Sequence, residues 1–508
     1  MSVGDLFRRH KALGAILAIS LVARIALVLN GGQFYYADES RYLGCFYFIH
    51  QLASLDLRGA TDQILGTRAH VGFIFTGLPA AFVHIAYLGI RRLPETGASV
   101  MSTTWVSGLC FAVPSVVSIA LLYAISRKTG ATSAEALLAA FLFACSNAMF
   151  YFCRHFLPYD LSMALALFAL WLNIAEKPSL WMSLRFGLIV GIALLTYNGY
   201  WITCAIVPSI YVLYRVPNAA AAVKRAVPAA LGMISLPALL NLVSILLGKE
   251  PYLSKMARFA GTETYGDFRL GAVLPFVYLW YTEHALAFVW AVGTLLALYY
   301  YCKTDNSRRN PFILMCLAAV LAIYGSLALP SVAMEKITVS GRLIRQLIPW
   351  LCFASAYGIS RAFHQGSRYR IALAAVCAAL VIQAGINMSH PFQQRFPADI
   401  QQTVHSQYGE VNYDVTFNGP DDLNAGHIPA SSPYVLVNAE FLYPLLSWKP
   451  PISGDVVFSV PHPYAYKPYQ YEGLSQRERD LLLQGDYSMR LIRRPTQSGN
   501  SQQSPNQP

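Results

Sequence analysis

Charge is what this chain of 508 residues is shortest of. Only 13% of its residues are Asp, Glu, Lys or Arg, against roughly 25% in an ordinary soluble protein. That scarcity excludes a soluble enzyme, a disordered polyelectrolyte and a coiled coil. Paired cysteines are missing as well. The nine cysteines are odd in number, all lie between Cys45 and Cys377 in or beside apolar stretches, and no disulfide framework or zinc spacing emerges from them. There is no solenoid period. A small-x-small cleavage site is also absent after the basic start, Arg8-Arg9-His10-Lys11, and the apolar run from Ala12 to Asn30 that follows it. That start therefore reads as an uncleaved first span, not a signal peptide.

What fills the chain is apolar. Hydrophobic residues make up 55% of it, the mean hydropathy is +0.42, and apolar windows recur near the roughly 20 residues that cross the hydrocarbon layer as helix. Acidic residues number 26 against 38 basic ones, a formal charge of +12. In a soluble domain that excess would suggest nucleic acid. Here it flanks the apolar windows, so it reads as topology and no nucleic-acid partner is expected.

The windows predict spans at 12–30, 99–126, 132–151, 156–175, 180–197, 199–214, 226–247, 271–301, 311–330, 345–362 and 371–388. A further stretch, 71–90, contains Pro79 and His84 and decides the parity of everything after it. If it does not cross, Arg127 and Lys128, Lys177, Arg215 with Lys224 and Arg225, Lys303 with Arg308 and Arg309, and Arg361 with Arg368 and Arg370 all share the cytoplasmic side with the N-terminus. The opposite parity scatters them outside. The expectation is therefore eleven spans, with 71–90 an interfacial or re-entrant helix on the outer side.

The predicted architecture is an all-α polytopic membrane domain over 1–388, with an outer loop at 31–98. A small α/β appendage follows at 389–495, and a disordered polar tail at 496–508. Strand-like runs at Tyr434–Val437 and Asp455–Phe458, and a helix-like one at Gln476–Leu483, support the appendage.

Three polar clusters could carry chemistry. Asp38 and Glu39 follow the first span, flanked by Tyr35, Tyr36 and Tyr42. Adjacent carboxylates beside a low-dielectric boundary are costly unless solvated, paired or used; an aromatic belt with a solvated acidic turn is the plain alternative. Arg154, His155 and Asp160 stand together at the end of the third span, with Asp160 already inside the next window. An intramembrane carboxylate is a functional candidate, while an Arg154–Asp160 salt bridge that merely fixes two helices is the plain reading. Arg342 and Arg345, three residues apart at the start of the tenth span, share a helix face and can grip a phosphate; ordinary headgroup binding competes. Under the charge-derived topology all three clusters fall on one side.

Those residues resemble the C-type (GT-C) glycosyltransferases, in particular the bacterial branch of protein O-mannosyltransferases and lipid A aminoarabinose transferases. The resemblance lies in Ala37-Asp38-Glu39-Ser40-Arg41-Tyr42, in Arg154-His155-Phe156-Leu157-Pro158-Tyr159-Asp160 and in Gly341-Arg342-Leu343-Ile344-Arg345-Gln346-Leu347-Ile348-Pro349. It implies a sugar donor on a polyprenyl phosphate, an unassigned lipid, glycan or protein acceptor, and transfer at the outer face of a bacterial cytoplasmic membrane, with inversion. Carried over, Asp38 takes the catalytic acidic position with Glu39 beside it, Asp160 the second acidic position, and Arg342 or Arg345 the carrier-phosphate contact. Tyr42, His70 and Arg154 join as substrate-binding residues. His70 keeps a polar position where the family often has prolines that this chain lacks. Some members hold a divalent cation at their acidic residues; this chain shows no clear ligand set of its own.

Two other readings stay open at this point. A ligase or polymerase of surface polysaccharide would use the same lipid-phosphate chemistry. A secondary transporter or flippase would show repeated halves and midplane charges. Leu93-Pro94-Glu95-Thr96-Gly97 matches a cell-wall sorting signal but sits more than 400 residues from the C-terminus, so it reads as a chance match.

Overall fold

The computed structural model describes residues 11–30, 44–65, 104–154, 157–174, 179–261, 272–305, 309–334, 341–363 and 367–393, with short stretches between 77 and 86 and between 403 and 493. The membrane part is helical. In order come α1 (Lys11–Asn30), α2 (Gly44–Ala53), α3 (Leu57–Ile64), α4 (Thr104–Lys128), α5 (Ser133–Ala144), α6 (Asn147–Tyr151), α7 (Tyr159–Asn173), α8 (Leu180–Thr196) and α9 (Trp201–Leu213). Then follow α10 (Ala219–Leu246), α11 (Tyr252–Gly261), α12 (Leu274–Glu283), α13 (Ala285–Lys303), α14 (Pro311–Met334), α15 (Gly341–Ile344), α16 (Ile348–Phe363) and α17 (Ser367–Gln393). Among the described residues six helices, α1, α4, α10, α13, α14 and α17, contain stretches long and apolar enough to cross a membrane. The chain is an integral membrane protein.

Two expected spans are not single helices. The window 132–151 breaks between α5 and α6 at Cys145 and Ser146. The window 271–301 breaks at His284, whose φ of 48° and ψ of −116° interrupt the helix between α12 and α13. In hydrocarbon such breaks persist only where the freed backbone groups find partners, and here each break faces the other.

Close backbone contact fixes the helix pairs. α8 and α10 pack along much of their length because Gly187, Gly191 and Gly232 let the backbones touch. A Cβ at Gly191 would lie 2.6 Å from the Met233 carbonyl oxygen, and one at Gly187 or Gly232 would collide with the carbonyl of Ala229 or Leu184. Small residues at such seams replace the hydrophobic drive that lipid removes. Gly293 on α13 and Gly358 on α16 make a second seam, closed by the Ser355 hydroxyl donating to the Trp290 carbonyl at 3.1 Å. Large apolar side chains such as Leu231, Leu321 and Ile371 point outward and are exposed.

Outside the bundle, α3 and α11 are held together. Lys249 pairs with Asp62, Lys255 donates to the Leu65 carbonyl, and Tyr252 and Leu65 are buried against Leu195, Leu240 and Met256. Burial there pushes the Lys255 ammonium below its ordinary pKa. The C-terminal part contains a four-stranded sheet of β1 (Asn412–Asp414), β2 (Tyr434–Asn438), β3 (Asp455–Pro461) and β4 (Ser488–Arg493), in the order β1-β2-β4-β3. β1 runs parallel to β2, with Asn412 opposite Val435; β4 runs antiparallel to both neighbours, with Arg493 opposite Tyr434 and Asp455. Both strand-like runs of the sequence are strands. The described part of 71–90 is helical between 77 and 86, with Ala81 buried and Phe82 exposed. His84, the Leu93–Gly97 motif, the helix-like run at 476–483 and the tail at 496–508 lie outside the described residues.

Candidate functional site

The site grows from one ion pair. Asp160 stands in the first turn of α7, where the helix dipole favours a carboxylate. Arg345 lies in the 3-10 turn Arg345–Leu347 that joins α15 to α16. Although 185 positions separate them, Arg345 Nη2 donates to Asp160 Oδ1 in a pair with side-chain exposures of 0% and 3%. An intramembrane carboxylate and a late arginine, each a candidate by itself, are thus partners. Asp160 is bound by Arg345, whereas the sequence had offered Arg154 as its partner.

Aromatic rings enclose the guanidinium. Its Cζ lies 5.0 Å from the Phe152 ring centre and 5.7 Å from that of Tyr159, a cation–π setting strengthened by desolvation. Tyr197 and Tyr200 complete the wall, 4.6 Å and 6.1 Å from Tyr159 between ring centres. Gln346 fixes the turn from behind. Its Oε1 accepts from both the amide and the hydroxyl of Thr203 at 2.9 Å, and its Nε2 donates to the Leu343 carbonyl at 3.1 Å.

The pair leaves capacity over. Arg345 Nε and Nη1 make no well-aligned hydrogen bond among the described residues, and the Tyr200 hydroxyl lies against the guanidinium, close enough to interact with it. Buried unpaired donors cost about 1–3 kcal/mol each, so a guanidinium so placed is poised for an anion.

Sequence reasoning missed two more buried charges. Arg24, in the middle of an apolar helix, is 1% exposed. It donates to the Ser115 hydroxyl at 2.9 Å and the Ser20 carbonyl at 3.2 Å, lies 5.5 Å from the Phe150 ring centre, and interacts electrostatically with Asp160 and Arg345. Glu283, at the end of α12, is also 1% exposed and accepts from the Ser146 hydroxyl and the amides of Asn147 and Ala148, each at 2.8 Å. Both sit inside apolar windows, so the rule that singled out Asp160 applies to them equally.

Asp38, Glu39, Tyr42 and His70 lie outside the described residues, as do the side chains of Arg154 and Arg342. Arg154 closes the 3-10 turn that carries Phe152, and Arg342 lies in α15, the helix that leads into Arg345. Among the described residues no group of three or more His, Cys, Asp or Glu comes together to hold a metal ion. Asp160, facing two arginines, does not fit a divalent cation.

No family model and no curated protein matches the chain. Among solved structures, the archaeal oligosaccharyltransferase AglB from Archaeoglobus fulgidus, in complex with an inhibitory peptide and a dolichol-phosphate, is similar at a TM-score of 0.47 and 13% identity, over 84% of this chain. The match covers 60% of AglB's length.

Proposed function

We propose that the protein is a membrane glycosyltransferase of the GT-C type, transferring a sugar from a polyprenyl-phosphate donor to an acceptor hydroxyl at the outer face of a bacterial cytoplasmic membrane. The observation that carries the reading is the convergence of Asp160 and Arg345 in one buried, aromatic-walled pair with two guanidinium nitrogens unpartnered. In the transfer, the acceptor oxygen bonds to the anomeric carbon as the bond from that carbon to the carrier phosphate breaks. Asp38 or Glu39 takes the hydroxyl proton, a contribution of about 10²–10⁴-fold. The leaving phosphate keeps the electron pair of the broken bond, and fixed positive charge stabilises it. Arg345, held in place by Asp160, supplies that charge from within, and Arg342, three residues earlier, is the arm that meets the phosphate. One displacement inverts the sugar. On the eleven-span reading, this site and the C-terminal sheet share the outer side.

Purified protein in detergent, supplied with polyprenyl-phosphate sugars, tests the chemistry. Asp38→Asn is expected to reduce transfer at least 100-fold; undiminished transfer removes Asp38 from the mechanism. Topology is tested by labelling Ser133→Cys and Ser432→Cys in intact cells, with the exposed Cys302 replaced. Position 432 reacts from outside and position 133 does not; the reverse pattern overturns the parity.

A further inference from the structure

The two helix breaks described above satisfy each other. Where α5 stops, Ser146 and the first amides of α6 would be left without partners, and the Glu283 carboxylate takes all three of the hydrogen bonds they offer. In return, Asn147 Nδ2 donates at 3.3 Å to the carbonyl of Thr282, at the break between α12 and α13. Among the described residues no cation lies within ion-pair distance of Glu283, and Arg345 interacts with it only electrostatically, so these hydrogen bonds are its direct contacts.

The segment it clamps leads straight to the arginines. Asn147–Tyr151 and the following turn present Phe150 to Arg24 at 5.5 Å and Phe152 to Arg345 at 5.0 Å. The Ser115 hydroxyl, which accepts from Arg24, in turn meets the Met149 carbonyl at 3.5 Å. One short stretch of backbone therefore sets the ring faces against which both guanidiniums lie, and its start is fixed by one carboxylate.

We propose that Glu283 is a positioning residue: by clamping the start of α6 it sets the Phe150 and Phe152 rings, and through them the orientation of Arg24 and Arg345 around Asp160. The role in transfer rests on the glycosyltransferase reading; the mechanical coupling does not. Glu283→Gln keeps an acceptor oxygen but loses the charge and half of the carboxylate's capacity, while Glu283→Asp keeps the charge on a shorter arm.

Two measurements on full-length protein decide it. The first is a double-mutant cycle on the unfolding midpoint in detergent, with Glu283→Gln, Arg345→Lys and the pair. Contacting networks give non-additive effects, and independent sites add. The expected result is a double variant little worse than the poorer single one; additive shifts overturn the coupling. The second is transfer from a polyprenyl-phosphate sugar. Glu283→Gln is expected to lower kcat about tenfold with the donor KM within twofold, and Glu283→Asp to restore part of it. Unchanged kcat alongside a non-additive cycle overturns the positioning role. If Glu283→Gln does not fold, Ser146→Ala replaces it in both measurements, with the same direction expected and kcat down about threefold. A wild-type protein inert toward every polyprenyl-phosphate sugar overturns the glycosyltransferase reading, and the unfolding cycle then decides the coupling alone.

Discussion

The two ends of the helical bundle use the same residue types in opposite ways. At the basic end, Arg127 donates to the Ala131 carbonyl at 2.6 Å, Arg309 to those of Thr304 and Cys302, and Arg225 to those of Tyr211 and Tyr214. Arg309 and Arg225 thereby quiet carbonyls at helix C-termini, and Arg127 one in the turn that follows α4. The acid there, Glu135, closes a capping box with Thr132 and meets Arg361 at 3.7 Å, with Arg361 52% exposed. At the other end Arg345 is fully enclosed and meets a carboxylate as well as rings, whereas Arg225, also buried beside a tyrosine ring and with its Nε unpartnered, meets carbonyls. On the proposed topology, charge at the first end records which way the chain is threaded. Charge at the second is held out of water at a cost that threading does not require.

Breaking the buried pair should do the most. Asp160→Ala leaves a guanidinium enclosed and uncompensated, a loss of about 3–5 kcal/mol. It should appear as a large drop in the unfolding midpoint and as transfer below one hundredth of wild type. Replacing both partners by apolar residues, Asp160→Leu with Arg345→Met, should recover most of the stability and none of the activity; recovered transfer would deny the pair its chemical role. Next comes the glycine seam between the ends. Gly232→Val forces α8 from α10 and should cost about 1–3 kcal/mol, read from denaturant unfolding in detergent. Thr132→Ala removes the cap at the basic end and should cost about 1 kcal/mol while leaving transfer within twofold. Arg361→Ala should move the midpoint least, by about 0–1 kcal/mol. A loss as large as that of Asp160→Ala would erase the distinction between the two ends.

Much of the scaffold was legible because lipid imposes a length rule on apolar windows, and the long apolar helices fall within or across the windows read from the sequence, whereas α2, α3, α11 and α15 lie outside them. The breaks at Ser146 and His284 were not read. Ser146-Asn147 carries a helix-start signal inside an otherwise unbroken apolar window, and His284 carries no local signal at all. Asp160 and Arg345 were legible singly, as charges where charges are costly. Their pairing was not, because it joins residues 185 apart and local spacing favoured Arg154. Arg24 and Glu283 were overlooked because each is a lone charge diluted in a long apolar run. The acidic pair at 38 and 39 remains an inference from sequence.

The glycine seam has a mechanical corollary. With α8 and α10 touching through their backbones, neither can slide or roll without driving a carbonyl into a neighbouring main chain. These two helices must travel together as one beam. Any rearrangement that opens the enclosure around Arg345 therefore has to bend elsewhere, at joints such as the turn Asn198–Tyr200 or Arg215, where φ is 48°.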